Sequence, residues 1–242
     1  MFRAFITAAH SQYLESLNVE MKCNSSTAVD QRISHLSGIY SILPSTLRRL
    51  HITWEKSNYG EYNVDVPTLY EGLLGRSELH QLSFEFLNHY GHIADADMRS
   101  IKVTWPNLTA FSCTHNAHSL RSIDRKPEAI ATMPDLSTVV SFVTNHPHLE
   151  CLALPSIQTS PPLPLAEIPV LARVRHLEIA YFAAKDVHLF QLAFALDHLF
   201  PNLELQENTG QIKSTARGEE LTLLLLEMQI GRRSVTCAPD GI

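Results

Sequence analysis

The feature that most constrains this chain is a recurring apolar spacing, Leu-x-x-Leu-x-Leu, in which any apolar residue can take a leucine position. The stretches LESLNV and LECLAL are two examples from opposite halves of the chain. Seven copies occur, at Leu14/Leu17/Val19, Leu47/Leu50/Ile52, Leu79/Leu82/Phe84, Leu108/Phe111/Cys113, Leu149/Leu152/Leu154, Val174/Leu177/Ile179 and Phe200/Leu203/Leu205. Neighbouring copies start 25 to 41 residues apart. A spacing of this order is typical of proteins built from stacked repeats.

Within each copy, polar and apolar residues alternate. Arg49, His51 and Thr53 alternate with Leu50 and Ile52, for example. Alternation predicts a strand with one buried and one open face. An ordinary doubly wound α/β domain, the alternative that we weighed, has strands buried on both faces, which are near-continuous apolar runs.

Between the copies, the apolar spacing changes to a helical period. It predicts helices over 29–43, 136–143 and 187–200, weaker ones over 68–74 and 94–103, and a C-terminal helix over 218–231. Proline precedes several copies, as Pro44, Pro106 and Pro147, and would end a helix before the next strand. Pro201 instead follows the first apolar position of the seventh copy, which leaves that register open by about three residues.

Each unit is too small to bury its own apolar face, so neighbouring units must stack. Right-handed crossovers then place parallel strands on one side and helices on the other. We therefore predict one α/β domain over 1–242, a solenoid of about seven irregular repeats with strands on the concave face and helices on the convex face. The apolar spacing lapses over 115–134, where we expect an exposed loop excursion that proteases cleave first.

The segments LPSTLRRLHITW, WPNLTAFSC, HPHLECLAL and FPNLEL resemble the leucine-rich-repeat region of fungal F-box proteins. The resemblance covers about residues 10 to 210 and implies a horseshoe like that of ribonuclease inhibitor. It also implies substrate recognition for a cullin-type ubiquitin ligase. Strict repeats of this kind place Asn or Cys three residues after the third apolar position, and only Asn116 and Asn208 fit. The F-box itself is not recognisable in this sequence, so the resemblance concerns the repeats alone.

Composition narrows the classes of partner. The net charge is −6, which argues against nucleic acid, because phosphate binding needs a basic surface. The four cysteines are far apart and form no CxxC pair, which favours reduced thiols. We find no apolar run of the length that a signal peptide or a membrane span needs. We therefore expect a cytoplasmic or nuclear monomer that binds a protein, not a membrane.

Three groups of residues could hold a metal or a nucleophile. They are His146, His148 and Cys151; His89, His92, Asp95 and Asp97; and Cys113, His115 and His118. Zinc needs ligands that converge on one point, and the first group lacks a fourth ligand. The second group would suit a metal-dependent hydrolase, but we favour the alternative that it is a polar loop with Asp95 near a helix N-cap. The usual phosphate-binding and hydrolase motifs are absent. We expect no enzyme activity, catalytic residue, cofactor or metal.

The leading hypothesis is a protein-interaction scaffold; a degenerate fragment without a partner is the other alternative. Strand alternation selects the side chains that avoid the core. Those at the middle positions form the candidate partner-binding row: Asn18, His51, Ser83, Ser112, Ala153, Glu178 and Glu204. Glu178 and Glu204 favour a basic partner. We expect Trp54 and Trp105 to pack, Trp54 being the nearer of the two to an open surface.

Overall fold

One parallel sheet, built from six of the seven motifs, lies at the centre of the computed structural model. The structure describes residues 13–23, 26–56, 64–87, 91–101, 104–115, 132–158, 170–183, 189–205 and 216–236. The six strands are β1 (Ser16–Cys23), β2 (Arg49–Lys56), β4 (Gln81–Leu87), β6 (Ala110–His115), β7 (Cys151–Leu154) and β9 (His176–Ile179). They pair in parallel in the order in which they follow along the chain. A doubly wound sheet would reverse its order at a switch point, and these six strands do not.

Alternation along each strand determines which side chains form the core. In β1, every second residue is buried across eight residues. Strand pairing joins the buried positions into continuous rows, of which one is Leu17, Leu50, Leu82, Phe111, Leu152 and Leu177. All six side chains belong to a single hydrophobic core. The inward row that the sequence predicts from Leu50 to Leu177 is therefore confirmed.

Helices cover the buried face of the sheet. They are α1 (Ser26–Ile42), α2 (Val66–Tyr70) with a following 3-10 turn (Glu71–Leu73), α3 (Asp95–Ile101), α4 (Leu136–Asn145), α5 (Leu189–Leu199) and α6 (Ala216–Thr236). Buried residues of these helices share one core with the strands. Each lies where the sequence predicts a helix, and α6 continues past Gly231, where we expected it to end. No helix in the described ranges is both long and apolar enough to cross a bilayer.

The turn before each strand repeats the same backbone hydrogen bond. The N–H at the first apolar position donates to the carbonyl three residues earlier, as from Leu108 to Trp105 at 3.1 Å and from Leu149 to His146 at 2.9 Å. The next N–H donates to the preceding unit, as from Glu150 to Thr109 at 2.8 Å. These two bonds fix where strands β2, β4, β6, β7 and β9 begin.

They also correct the register of the seventh copy. Leu203 donates to Phe200 at 3.2 Å, and Glu204 donates to Arg175 at 2.7 Å. Leu203 is therefore the first apolar position, three residues later than the sequence interpretation placed it. Pro201 then precedes the motif by two residues, as Pro106 and Pro147 do. Phe200 is buried in the core at the end of α5, so it is not the first apolar position of the seventh copy.

Short secondary ladders form where the chain leaves the main sheet. They pair β3 (Val64–Asp65) with β5 (Gly91–His92), and β8 (Ile157–Gln158) with β10 (Phe182–Ala183). Gly91 contacts the ring of Phe86 so closely that a Cβ would lie 2.3 Å from a ring carbon. Only glycine fits this position without displacing the ring.

Two further expectations concern single regions. Trp105 is 0% exposed and Trp54 is 1% exposed, so the prediction that both side chains pack is confirmed, and Trp54 does not reach an open surface. Trp54 shares the parity of Leu50 and Ile52 in β2 and therefore points into the core.

Most of the predicted excursion, 116–131, lies outside the described residues, so its exposure stays a prediction. Its C-terminal end is tied to the fold, because the carbonyl of Thr132 accepts the N–H of Asp95 at 2.9 Å.

Replacing Leu152 tests the inward row. Leu152 is 1% exposed in the middle of the core. We expect Leu152→Ala to lower the free energy of unfolding by about 2–5 kcal/mol, because a buried side chain leaves a cavity. Leu223→Ala is the matched control, since Leu223 is 62% exposed, and should change it by less than about 0.5 kcal/mol. Chemical denaturation of both variants measures the difference; equal losses would contradict this assignment of the core.

Candidate interaction surface

The face of the main sheet opposite the helices carries the candidate site. This open face consists of the side chains that alternate with the core rows. Strand pairing brings Asn18, His51, Ser83, Ser112, Ala153 and Glu178 into one continuous row. Strand alternation predicts these same residues as neighbours, and the structure places them side by side.

Glu204 is not a member of that row. It lies one residue after the first apolar position of the seventh unit, beside Arg175 rather than beside Glu178. Its carboxylate is 3.6 Å from the Arg175 guanidinium and 3.5 Å from the His176 ring. The position of the seventh unit that would continue the row lies outside the described residues. The shift follows from the same three-residue error that displaced Phe200.

The N-terminal half of the open face is charged and paired internally. Lys22 lies 3.1 Å from Glu20 and 2.8 Å from Glu55 on the neighbouring strand. Hydrogen bonds to Glu55 and then to Glu20 raise the pKa of Lys22. The ring of His51 lies 3.6 Å from Glu85 across the next pair of strands. Each of these three carboxylates therefore lies beside a cation or a histidine of the chain itself.

Apart from His176 and Glu178 on β9, the C-terminal half of the open face carries small side chains. We call it the small-residue floor, and it comprises Ala110, Ser112, Thr114, Cys151, Ala153 and Ala180. Ala153 is only 9% exposed, so its methyl group lies low between the neighbouring strands. Burial, followed by the nearby charges of Glu150 and Glu204, raises the pKa of Cys151, so its thiol stays protonated. The floor therefore offers space and no reactive group.

Glu178 stands at the edge of this floor. It neighbours Ala153 in register and is half-buried. Burial raises the pKa of its carboxyl. Within the described part of the chain, the side chain of Glu178 has no hydrogen bond and no salt bridge. An anion that is partly withdrawn from water and unmatched by a cation is unusual on a protein surface.

The HPHLEC group does not converge on a metal. His146 is 1% exposed, its Nδ1 lies 2.7 Å from the Phe142 carbonyl, and its ring packs on Phe142 with centroids 4.3 Å apart. His148 is exposed and contacts Arg173 at 3.1 Å. Cys151 points to the open face. His146 occupies the buried turn position that Trp105 and Phe200 fill in other units, so its role is in packing.

The His and Asp residues of NHYGHIADAD are only partly described, since His89 and the side chain of His92 lie outside the described set. The carboxylate of Asp95 accepts from Arg99 at 2.6 Å and from the Thr138 hydroxyl. The carboxylate of Asp97 accepts the Ala94 N–H at 2.7 Å, as in a capping box at the start of α3. Both acids therefore have structural partners, and the described residues contain no group of three metal ligands.

Cys113 and His115 are not placed as a nucleophile pair. Cys113 is buried in the core, and burial raises the pKa of its thiol. The Nε2 of His115 lies 2.7 Å from the Gly91 N–H, and its ring stacks on Phe86 with centroids 5.3 Å apart. His118, the third residue of this group, lies outside the described residues. Cys113 and His115 thus serve the packing of the fourth unit.

A feature that sequence reasoning missed lies at the end of the sheet. A cavity of about 870 Å³ opens between the seventh unit and α6, with Arg175, Leu205, Leu226 and Ile230 in its lining. The Gln229 side chain donates to the carbonyl of Leu203 at 2.9 Å and holds α6 against the end of the array. The sequence signal for this cavity was the run of four leucines over 223–226. One packed helix face does not use four consecutive leucines, so some of them must lie on another face of α6.

Comparison with known proteins adds no relative to this picture. No family model, no curated protein and no solved structure matches the chain.

His146 makes folding stability depend on pH. Burial lowers the pKa of His146, and the hydrogen bond to the Phe142 carbonyl opposes this only in part. In the unfolded chain the pKa returns to about 6.5, so the unfolded state binds a proton first as the pH falls. The contribution to stability is therefore complete above about pH 6.5 and is lost below it.

Replacing His146 by Phe tests this linkage. We expect the unfolding free energy of His146→Phe to exceed that of the parent by an increasing margin as the pH falls from about 7 to about 5. His148→Gln, at an exposed histidine, should keep the pH dependence of the parent. Urea denaturation at several pH values gives both comparisons. Parallel curves for His146→Phe and the parent would contradict the assignment.

Proposed function

We propose that this chain is a non-enzymatic protein-interaction scaffold of the leucine-rich-repeat type, which binds its partner on the open face. The observation that carries the proposal is the row from Asn18 to Glu178, one side chain per unit, on a sheet whose other face is buried. A row of this kind presents several independent side chains to one extended partner. Substitution of a residue in this row leaves the core intact, as is typical of a recognition surface.

The finer architecture that we propose is a horseshoe with the open face on its concave side. Neighbouring strands lie about 4.8 Å apart, whereas packed helices need about 8–10 Å. An array with strands on one side and helices on the other must therefore curve toward the strands. The repeated turn hydrogen bonds support equivalent units, and the curvature would wrap the open face around a partner.

The resemblance to fungal F-box proteins supports a narrower role. We propose that the chain is the substrate-recognition part of an F-box-type ubiquitin-ligase receptor, acting as a monomer in the cytoplasm or nucleus. The buried Cys113 is a free thiol, which suits a reducing compartment. The hydrolase alternative has less support, because Asp95 and Asp97 are engaged in helix contacts. A fragment without a partner stays the other alternative.

Blocking the open face tests the proposed function. The face variant combines Asn18→Arg, Ser83→Arg and Ser112→Arg, which add bulk and positive charge to the first, third and fourth units. Proteins cross-linked to the parent in extracts of its source cells should be lost from this variant. Quantitative mass spectrometry measures the recovery of each protein.

A control variant places the same substitution at exposed positions on the helices, as Ser37→Arg, Ser100→Arg and Thr144→Arg. It has the same added charge and should retain the partners. Circular dichroism and the melting temperature establish that both variants fold as the parent does. Partners retained by both folded variants would remove the open face as the binding surface.

A further inference from the structure

The carboxylates of the open face differ in whether the chain itself supplies a cation. Glu20 and Glu55 share Lys22, and Glu85 lies 3.6 Å from His51. Glu204, beside the last strand, likewise has cationic neighbours. Glu178 differs from all of these, because the described residues give it no ion pair and no hydrogen bond.

The neighbouring cations do not form an ion pair with Glu178. His176, two residues earlier on the same strand, is 3.5 Å from Glu204 instead, and Arg175 faces Glu204 as well. The adjacent position on β7 is Ala153, which offers only a methyl group. The positive charge that would match Glu178 must therefore come from outside the described residues.

The fold does not need a carboxylate at this position. Ser112 and Ala153 occupy the same row in the two preceding units, and the strands pair there in the same way. The partial burial that raises the pKa of Glu178 disfavours its charged form. A group that lowers stability and serves no local contact is typical of a binding position.

The space beside Glu178 suits a long side chain. The small-residue floor leaves the surface low over β6 and β7, whereas β2 and β4 carry Arg49, His51 and Glu85. A partner backbone lying over the floor can extend a lysine or arginine side chain toward the carboxylate. Partial desolvation strengthens the attraction between the two charges compared with an exposed pair.

We propose that Glu178 is the ion-pair acceptor for a lysine or arginine of an extended basic protein segment, which lies across β6, β7 and β9. The inference rests on the proposed function, since it names the partner class and the anchor for the same open face. Nucleic acid does not fit, because Glu20, Glu55, Glu85 and Glu178 outnumber Lys22 and Arg49 on this surface.

The test measures binding of a fluorescent extended peptide in which lysine alternates with threonine, by anisotropy at physiological ionic strength. We expect the parent chain to bind this peptide and not a matched peptide with glutamate in place of lysine. Glu178→Gln should weaken binding about tenfold or more, the loss expected for a charge-assisted contact. The same variant should be at least as stable as the parent in denaturation, because it removes a partly desolvated charge.

Glu20→Gln is the matched control, since it removes the same charge from an exposed carboxylate that Lys22 already pairs. It should change the affinity by less than about twofold, because screening weakens exposed charges. Equal weakening by both substitutions, or no binding of the lysine peptide by the parent, overturns the inference. These results leave the proposed function standing if the face variant still loses its cellular partners. Retention of those partners by the face variant would overturn the proposed function separately.

Discussion

The structure depends on one backbone hydrogen bond between each unit and the unit before it. The N–H that follows the first apolar position donates to the corresponding carbonyl of the preceding unit, at 2.7 to 2.9 Å in six successive units. Because the bond recurs at the same place, every strand starts in the same register. A shift by one residue would move the apolar side chains to the open face. The continuous core and the continuous outward row both follow from this bond.

Much of this arrangement could be predicted from the sequence, because burial on one face requires strict alternation. The spacing at Leu50 and Ile52 identifies the strand, and its parity places His51 on the open face. The seventh unit was misplaced because Phe200 and Leu203 are both apolar, and spacing alone does not tell a helix end from a strand start. The pattern shared by WPNL, HPHL and FPNL contained the missing information.

The candidate site was less predictable, because charge pairing depends on contacts between strands. Nothing in the sequence near Lys22 indicates that it pairs with Glu55, more than thirty residues away. Sequence proximity also suggested metal clusters that the structure separates. His146 and His148 are two residues apart, yet one is buried in a turn and the other is exposed. The row that contains Glu178 could be predicted, whereas its lack of a cation could not.

The hydrogen bond that links each unit to the one before it has a consequence for the length of the array. Because the link uses backbone atoms only, a unit can be added to the array wherever its apolar side chains fit the shared core. Each added unit lengthens the open face by about 4.8 Å and adds one side chain to the outward row. Adding units therefore extends the open face, while substitutions in the outward row change its charge without altering the core.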